Sequence, residues 1–232
     1  MNTVSASSPH QPGAVLWDMD GTLVDTEPYW MAAEVDLVAS FGGTWTSEQA
    51  LAMVGNGLLT SAEILRTAGV DMPAQDIVDL LTERVREALR TQGVPFRPGA
   101  RELLADLRRS GVRTALVTMS LRRMAQEVVE LIDFDAFDLI VAGDEVELPK
   151  PHPEPYLRAA ELLGIDIADA VVIEDSRTGV AAGVASGAVT LGVPHMVPLE
   201  GAGAHELWPS LDGRSVSDLA QLHARHVARA TR

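Results

Sequence analysis

The sequence predicts an α/β fold, a doubly wound parallel sheet interrupted after its first strand by a helical insertion. Two patterns carry this expectation. Short, unbroken apolar runs bounded by turn residues recur along the chain and alternate with segments of helical period, as in a parallel sheet covered on both faces. One interval, between the first run and the second, is far longer than an ordinary crossover and is itself filled with helical periodicity.

The elements follow in chain order. Ala14–Trp17 is the first predicted strand. In the insertion, Trp30, Ala33, Leu37 and Phe41 share one helical face. A shorter helix is expected over Ser61–Ala68, stopped by Gly69, and Ile77, Leu81, Val85 and Ala88 share the face of a third. Leu103, Leu104 and Leu107 form the stripe of a helix that starts near Pro98 and stops at Gly111. The strand Thr114–Val117 follows, then a stripe of Met124, Val128 and Leu131, then the strand Leu139–Ala142. Tyr156, Ala159, Ala160 and Leu163 precede Gly164. The strand Ala170–Ile173 leads to Val180, Ala181 and Val184 ahead of Gly187, and Ala188–Leu191 is the next strand. Val197–Ala204 reads as a surface loop before a last strand and a final helix near Val216–His226. The expected organisation is a tail over residues 1–12, a core domain over 13–25 and 96–232, and a small helical cap over 26–95.

Composition limits the function classes. At 232 residues, with 47% hydrophobic and 22% charged residues, the chain buries a real core and is not disordered. The absence of cysteine removes disulfides, thiolate metal sites and cysteine nucleophiles together. Acidic residues outnumber basic ones 33 to 18, for a net charge of −15. That balance argues against nucleic-acid or anionic-membrane partners and leaves an anionic substrate only where a local cation meets it. No stretch approaches the roughly 18 unbroken apolar residues of a membrane span. Met1 to Pro12 lacks the basic start and apolar middle of a secretory signal, so a cytoplasmic location is expected.

Chemistry-bearing residues fall at the ends of the predicted strands. The first strand runs into Asp18-Met19-Asp20-Gly21-Thr22-Leu23-Val24-Asp25. Carboxylates this close repel, and a bound cation relieves the repulsion. The second strand ends at Thr118-Met119-Ser120, just before a helix, where a hydroxyl and free N–H groups suit an anion. Lys150 sits between prolines in Pro149-Lys150-Pro151-His152-Pro153 after the third. The fourth ends at Glu174-Asp175-Ser176. Taken singly, each has a plain structural explanation: an acidic turn, a strand-end hydroxyl, a solvated loop lysine. Together they occupy the carboxyl edge of one parallel sheet, where open α/β folds bind ligands.

This ordered set, from about Ala14 to Leu222, resembles the haloacid dehalogenase superfamily of phosphohydrolases. The motifs are Asp18 to Asp25, Thr118, Lys150 in its Lys-Pro-His-Pro setting, and Glu174-Asp175. Asp25-Thr26-Glu27-Pro28 and Ile173 to Gly179 are similar to the branch of β-phosphoglucomutase and phosphoglycolate phosphatase, which carries a helical cap on a Rossmann-like core. The resemblance implies a Mg²⁺-dependent phosphatase acting on small phosphate monoesters, sugar or polyol phosphates, through an aspartyl-phosphate. It implies Asp18 as nucleophile and Asp20 as the acid and base; spacing alone does not tell the two apart. It implies Mg²⁺ held by the Asp18 side chain, the Asp20 carbonyl and Asp175, with Glu174 direct or through water. Thr118, Met119 and Ser120 would bind the phosphoryl group and Lys150 would neutralise it. Asp25 either orders the first-motif loop or caps the first cap helix. Helix capping is favoured for Ser176 and a structural role for His152. Glu27, Trp30, Met53 and Asn56 are the candidate substrate contacts of the cap, with Trp30 and Met53 equally suited to its core.

One departure bears on the reaction. Phosphomutases of this branch carry an arginine shortly after a cap glycine to grip a second phosphate. Here Val54-Gly55-Asn56-Gly57-Leu58-Leu59 places Leu58 near that position. Arg66, Arg84 or Arg86 could substitute, although each reads better as a solvated helix charge. Hydrolysis is therefore expected over a β-phosphoglucomutase-type transfer. A receiver-like module phosphorylated on aspartate is a distant alternative, because it needs neither a cap nor a second carboxylate. A haloalkanoic-acid dehalogenase would not need Asp20 and Glu174-Asp175. Oligomeric state is not legible.

Overall fold

The computed structural model describes residues 11–54 and 56–230. Gly55 and the expected tail up to residue 10 lie outside the described residues. Six parallel strands form one sheet in the order β3-β2-β1-β4-β5-β6. They are β1 (Ala14–Trp17), β2 (Arg113–Val117), β3 (Leu139–Val141), β4 (Ala170–Glu174), β5 (Val189–Gly192) and β6 (Glu206–Leu207). The chain builds outward from β1 to β3, then crosses back to β4 and builds the other way. The direction reverses between β1 and β4, so a crevice opens at their carboxyl ends.

The unbroken apolar runs are explained by two cores. Alternate residues of a strand point to opposite faces. Val15 and Trp17, Leu116, and Val171 and Ile173 enter one core; Ala14 and Leu16, Ala115 and Val117, and Ala170 and Val172 enter the other. The first core is closed by α5 (Ala100–Arg109), α6 (Arg122–Glu130) and α9 (Val216–Ala230). The second is closed by α7 (Glu154–Leu163) and α8 (Arg177–Ser186). Glycines in the left-handed conformation stop both of these helices, Gly164 at φ 66° and Gly187 at φ 92°.

The long interval between β1 and β2 holds α1 (Glu27–Ser40), α2 (Ser47–Leu51), α3 (Leu58–Thr67) and α4 (Ala74–Gln92). The chain leaves and returns side by side. Val24 pairs with Phe96 antiparallel, the Asp25 N–H donates to the Pro95 carbonyl at 2.7 Å, and the Arg97 N–H to that of Leu23 at 2.9 Å. Helix α4 also meets α6 through ions: Arg86 and Arg90 both bind Glu127 at 2.8 and 2.9 Å, while Arg123 binds Asp79 and Glu83.

The structure changes several details of the expected elements. Phe41 follows α1 and is 42% exposed, Leu131 follows α6, and Val184 lies on the outer side of α8. The α8 face against the sheet is made of Gly179, Val180, Ala182 and Gly183, because close helix–sheet packing there favours small residues. Leu89, not Ala88, completes the buried stripe of α4. Helix α3 starts at Leu58, earlier than Ser61. Helix α2 was not anticipated, although its signal is present: Thr46 and Gln49 form a reciprocal capping box.

Candidate active site

Register brings the site together. Trp17 is level with Leu116 and with Ile173, so the next residues, Asp18, Val117 and Glu174, sit side by side at the sheet edge. Neighbouring strands lie about 4.8 Å apart, within reach of short side chains. Lys150 arrives from the loop after β3 and its side chain is only 4% exposed. Its ammonium donates to Asp18 Oδ1 at 2.7 Å, Glu174 Oε1 at 2.7 Å and the Val117 carbonyl at 2.9 Å. All three donors of the ammonium are thereby used. Lys150 is also the only lysine in the chain.

Two close approaches shape the carboxylates. Gly21, at φ +83°, lies where a Cβ would stand 2.1 Å from Asp175 Oδ2. Gly179, in the first turn of α8, lies where a Cβ would stand 1.8 Å from Glu174 Oε1. Thr22 Oγ1 donates to Asp175 Oδ1 at 3.2 Å. Glu174 is fully buried and accepts from Lys150, from the Tyr156 hydroxyl at 2.6 Å and from the Ser176 hydroxyl at 3.1 Å. The Ser176 hydroxyl also accepts from the Gly179 N–H at 3.0 Å and so caps α8.

Asp18, Glu174 and Asp175 bring ligand oxygens within 4.8 Å of one another, all three buried. Burial and the neighbouring Glu174 push the Asp18 carboxyl up to about 7, against the pull of Lys150. Burial, with Asp18 and Glu174, holds Asp175 well above the ordinary carboxylate range. Burial alone would lower Lys150; Asp18 and Glu174 outweigh it and raise the ammonium. One lysine cannot neutralise three buried carboxylates. Their hard oxygen donors suit a divalent cation.

Asp20 stands apart from this cluster. Its Oδ2 accepts from Ser120 at 2.7 Å and Thr118 at 3.5 Å, and its Oδ1 from Thr26 and from the Trp30 indole N–H at 3.4 Å. Thr26 heads α1 but gives α1 no side-chain cap, because its hydroxyl is committed to Asp20. Asp25 is not a cap either: its Oδ1 meets His195 Nε2 at 2.8 Å, which ties the outgoing linker to the loop after β5. Met119 is buried, and its sulfur accepts from the Lys150 N–H at 3.4 Å. The His152 Nδ1 accepts from the Glu154 N–H at 3.2 Å, at the head of α7.

The cluster opens into a cavity of about 260 Å³. Asp18, Asp20, Thr118, Met119, Ser120, Lys150 and Asp175 line its floor. Glu27, Trp30, Met53 and Asn56 line it from the insertion, together with Glu34 and Leu58. None of the four arginines of the insertion lines it. Arg66 pairs with Glu63, Arg84 donates to the Ala33 carbonyl, and Arg86 and Arg90 are held by Glu127. Arg86 is thus a cross-link to α6 rather than the solvated charge that its helix pattern suggests.

A family model described as haloacid dehalogenase-like hydrolase matches residues 12–187. The chain belongs to that family. Hexitol phosphatase B of Escherichia coli is 31% identical over 192 residues, covering 81% of this chain and 86% of the relative. The phosphorylated carbohydrates phosphatase of Thermotoga maritima is 33% identical over 178 residues, covering 75% and 81%. The crystal structure of CbbY from Rhodobacter sphaeroides in complex with phosphate superposes with a TM-score of 0.81 at 28% identity, covering 90% of this chain and 99% of that one.

Four residues at this hydrolase's site escaped the sequence reading. Thr26 stands in the Asp25-Thr26-Glu27-Pro28 run but with no role of its own, Tyr156 reads only as a helix-stripe residue, Trp45 carries no motif spacing, and Glu34 reads as one helix charge among many. For Glu34 a signal existed. It lies seven residues after Glu27, on the same face of α1. Gly21→Ala tests the fit of the first motif. The left-handed backbone there costs a β-carbon about 1–2 kcal/mol, and the methyl displaces Asp175. We expect a lower melting temperature and a weaker stabilisation by an added divalent cation, read from thermal melts across a metal titration.

Proposed function

We propose that this chain is a cytoplasmic, Mg²⁺-dependent phosphatase that hydrolyses small phosphate monoesters, sugar or polyol phosphates, through an aspartyl-phosphate. The observation that carries this reading is the buried group of Asp18, Lys150, Glu174 and Asp175 at one sheet edge, open to a cavity with Asp20 beside it. Family membership and the phosphatase relatives support it. Residues 13–25 and 96–232 form the catalytic core in this reading, and residues 26–95 form a cap over it.

An Asp18 carboxylate oxygen attacks phosphorus, and the ester P–O bond breaks. Asp20 delivers a proton to the departing alcohol oxygen. It then takes a proton from the water that attacks the aspartyl-phosphate and releases orthophosphate. The four donors around Asp20, two on each oxygen, hold its carboxylate in one orientation. Lys150 balances the Asp18 charge and that of the transferring group, while Thr118, Met119 and Ser120 hold that group. Asp18, the Asp20 carbonyl and Asp175 would hold Mg²⁺. Glu174, whose oxygens already bind Lys150, Tyr156 and Ser176, would act behind them. When bound, the ion supplies positive charge against the phosphoryl oxygens.

Hydrolysis is favoured over phosphomutase chemistry because, among the described residues, no cation lines the insertion side of the cavity, and a mutase must hold two phosphates. Orthophosphate release is measured over a panel of sugar, polyol and glycolate phosphates. We expect release that disappears with chelator and returns with Mg²⁺. Equal release in metal-free buffer would defeat the metal role. Conversion of β-glucose 1-phosphate to the 6-phosphate, without release, would select the mutase.

A further inference from the structure

Helix α1 runs from the catalytic edge into the cavity wall and carries Glu27, Trp30 and Glu34 on one face. Its start is anchored at Asp20 through Thr26 and Trp30. Glu34 lies one turn further, about 6 Å beyond Trp30 along the helix axis. It therefore faces the part of a bound ester that is remote from phosphorus.

Glu34 is 7% exposed. Its Oε2 accepts from the Trp45 indole N–H at 3.2 Å, and Trp45 is itself buried, so the carboxyl is held in one orientation. Its Oε1 takes no hydrogen bond from the described residues, although Glu34 lines the cavity. The insertion side of the cavity also carries apolar Ala50, Met53, Val78 and Leu81, with Asn56, Thr60 and Ser61 as its uncharged polar residues. That oxygen is unpaired among the described residues and is not fully buried, so a polar group in the cavity can reach it.

We propose that Glu34 is a specificity-determining residue, binding a hydroxyl at the far end of the substrate and, with Glu27, turning away a second anionic group. This deepens the phosphatase reading and rests on it. A hydroxyl both donates and accepts, so it pairs with the carboxyl in either protonation state. Burial pushes Glu34 up to about 7, and burial with Asp20 and Glu34 pushes Glu27 up to about 8. Once ionised, these acids would repel a carboxylate or second phosphate on the substrate, and no cation among the described insertion residues that line the cavity balances it. The favoured substrates are phosphate monoesters of polyhydroxylated carbon chains long enough to reach Glu34. Phosphorylated short acids and bisphosphates are disfavoured.

The test compares kcat/KM for sorbitol 6-phosphate, 2-phosphoglycolate and p-nitrophenyl phosphate in the wild type, Glu34→Leu, Glu34→Gln and Trp45→Phe, all with saturating Mg²⁺. The wild type should prefer sorbitol 6-phosphate to 2-phosphoglycolate. Glu34→Leu should lower the ratio of sorbitol 6-phosphate to p-nitrophenyl phosphate by about 10-fold or more, mainly through KM. Glu34→Gln keeps a hydroxyl partner without the charge. It should hold that ratio within about 3-fold while 2-phosphoglycolate gains on both. Trp45→Phe frees the carboxyl to turn and should fall between. Equal ratios in all four proteins, with phosphate still released, would overturn the role of Glu34 and leave the phosphatase reading standing. No release from any ester by the wild type would bring down the phosphatase reading and this inference with it.

Discussion

Replacing Asp18 by Asn should cut orthophosphate release by at least about 10³-fold, because the amide cannot form the aspartyl-phosphate and no other carboxylate occupies its place. The fold should survive. Lys150 keeps Glu174 and the Val117 carbonyl as acceptors. The exchange also removes the repulsion between Asp18 and Glu174 that burial intensifies. In metal-free buffer the melting temperature should therefore be equal to or above that of the wild type. Added Mg²⁺ should stabilise the variant less, since an amide oxygen in place of the proposed Asp18 ligand binds a hard cation more weakly. Turnover assays and melts with and without Mg²⁺ read both effects. A variant that keeps more than about a tenth of the activity would remove Asp18 from the nucleophile's role.

Lys150→Met should strongly destabilise the metal-free protein. It leaves Asp18 and Glu174 facing each other without the one cation between them. Removing one partner of a buried, hydrogen-bonded charge group costs about 3–5 kcal/mol. For a chain of this size that corresponds to a fall of about 10 °C in melting temperature. Activity should be lost as well. Mg²⁺ should raise the melting temperature of this variant more than that of the wild type, because the ion then meets carboxylates that nothing else neutralises. Lys150→Arg should not restore the wild type. The ammonium contacts converge from three directions at 2.7 to 2.9 Å, and a planar guanidinium on a longer stem does not reproduce them. A Lys150→Met protein with wild-type stability in chelator would show that the carboxylates are not charged together in the folded state.

The two parts of the molecule differ in how much of them could be read in advance. The core strands were legible because each is a continuous apolar run, and the structure shows why: their alternate residues feed two separate cores. The insertion helices were legible as helices but less so in their contacts. Phe41 fits the stripe of α1 and is still exposed, since the chain turns away at Gly42 and Gly43 before that face is covered. Arg86 fits a solvated face and is instead drawn to Glu127 on a helix 41 residues away in sequence. Periodicity reports which way a side chain points, not what lies opposite.

The sequence by itself determined the fold class, the order of the motifs and their place at strand ends, because these follow from local patterns of apolar and turn-forming residues. It also held the identity of the charged groups, including the single lysine. Only the tertiary structure decided which of them meet. Strand order and register set Asp18 beside Glu174, the loop after β3 delivers Lys150 between them, and α7 adds Tyr156 from below. The Glu34–Trp45 pair and its unfilled oxygen depend on how two segments of the insertion pack. Contacts between residues distant in the chain are fixed by the shape of the packed whole, and no local pattern encodes them.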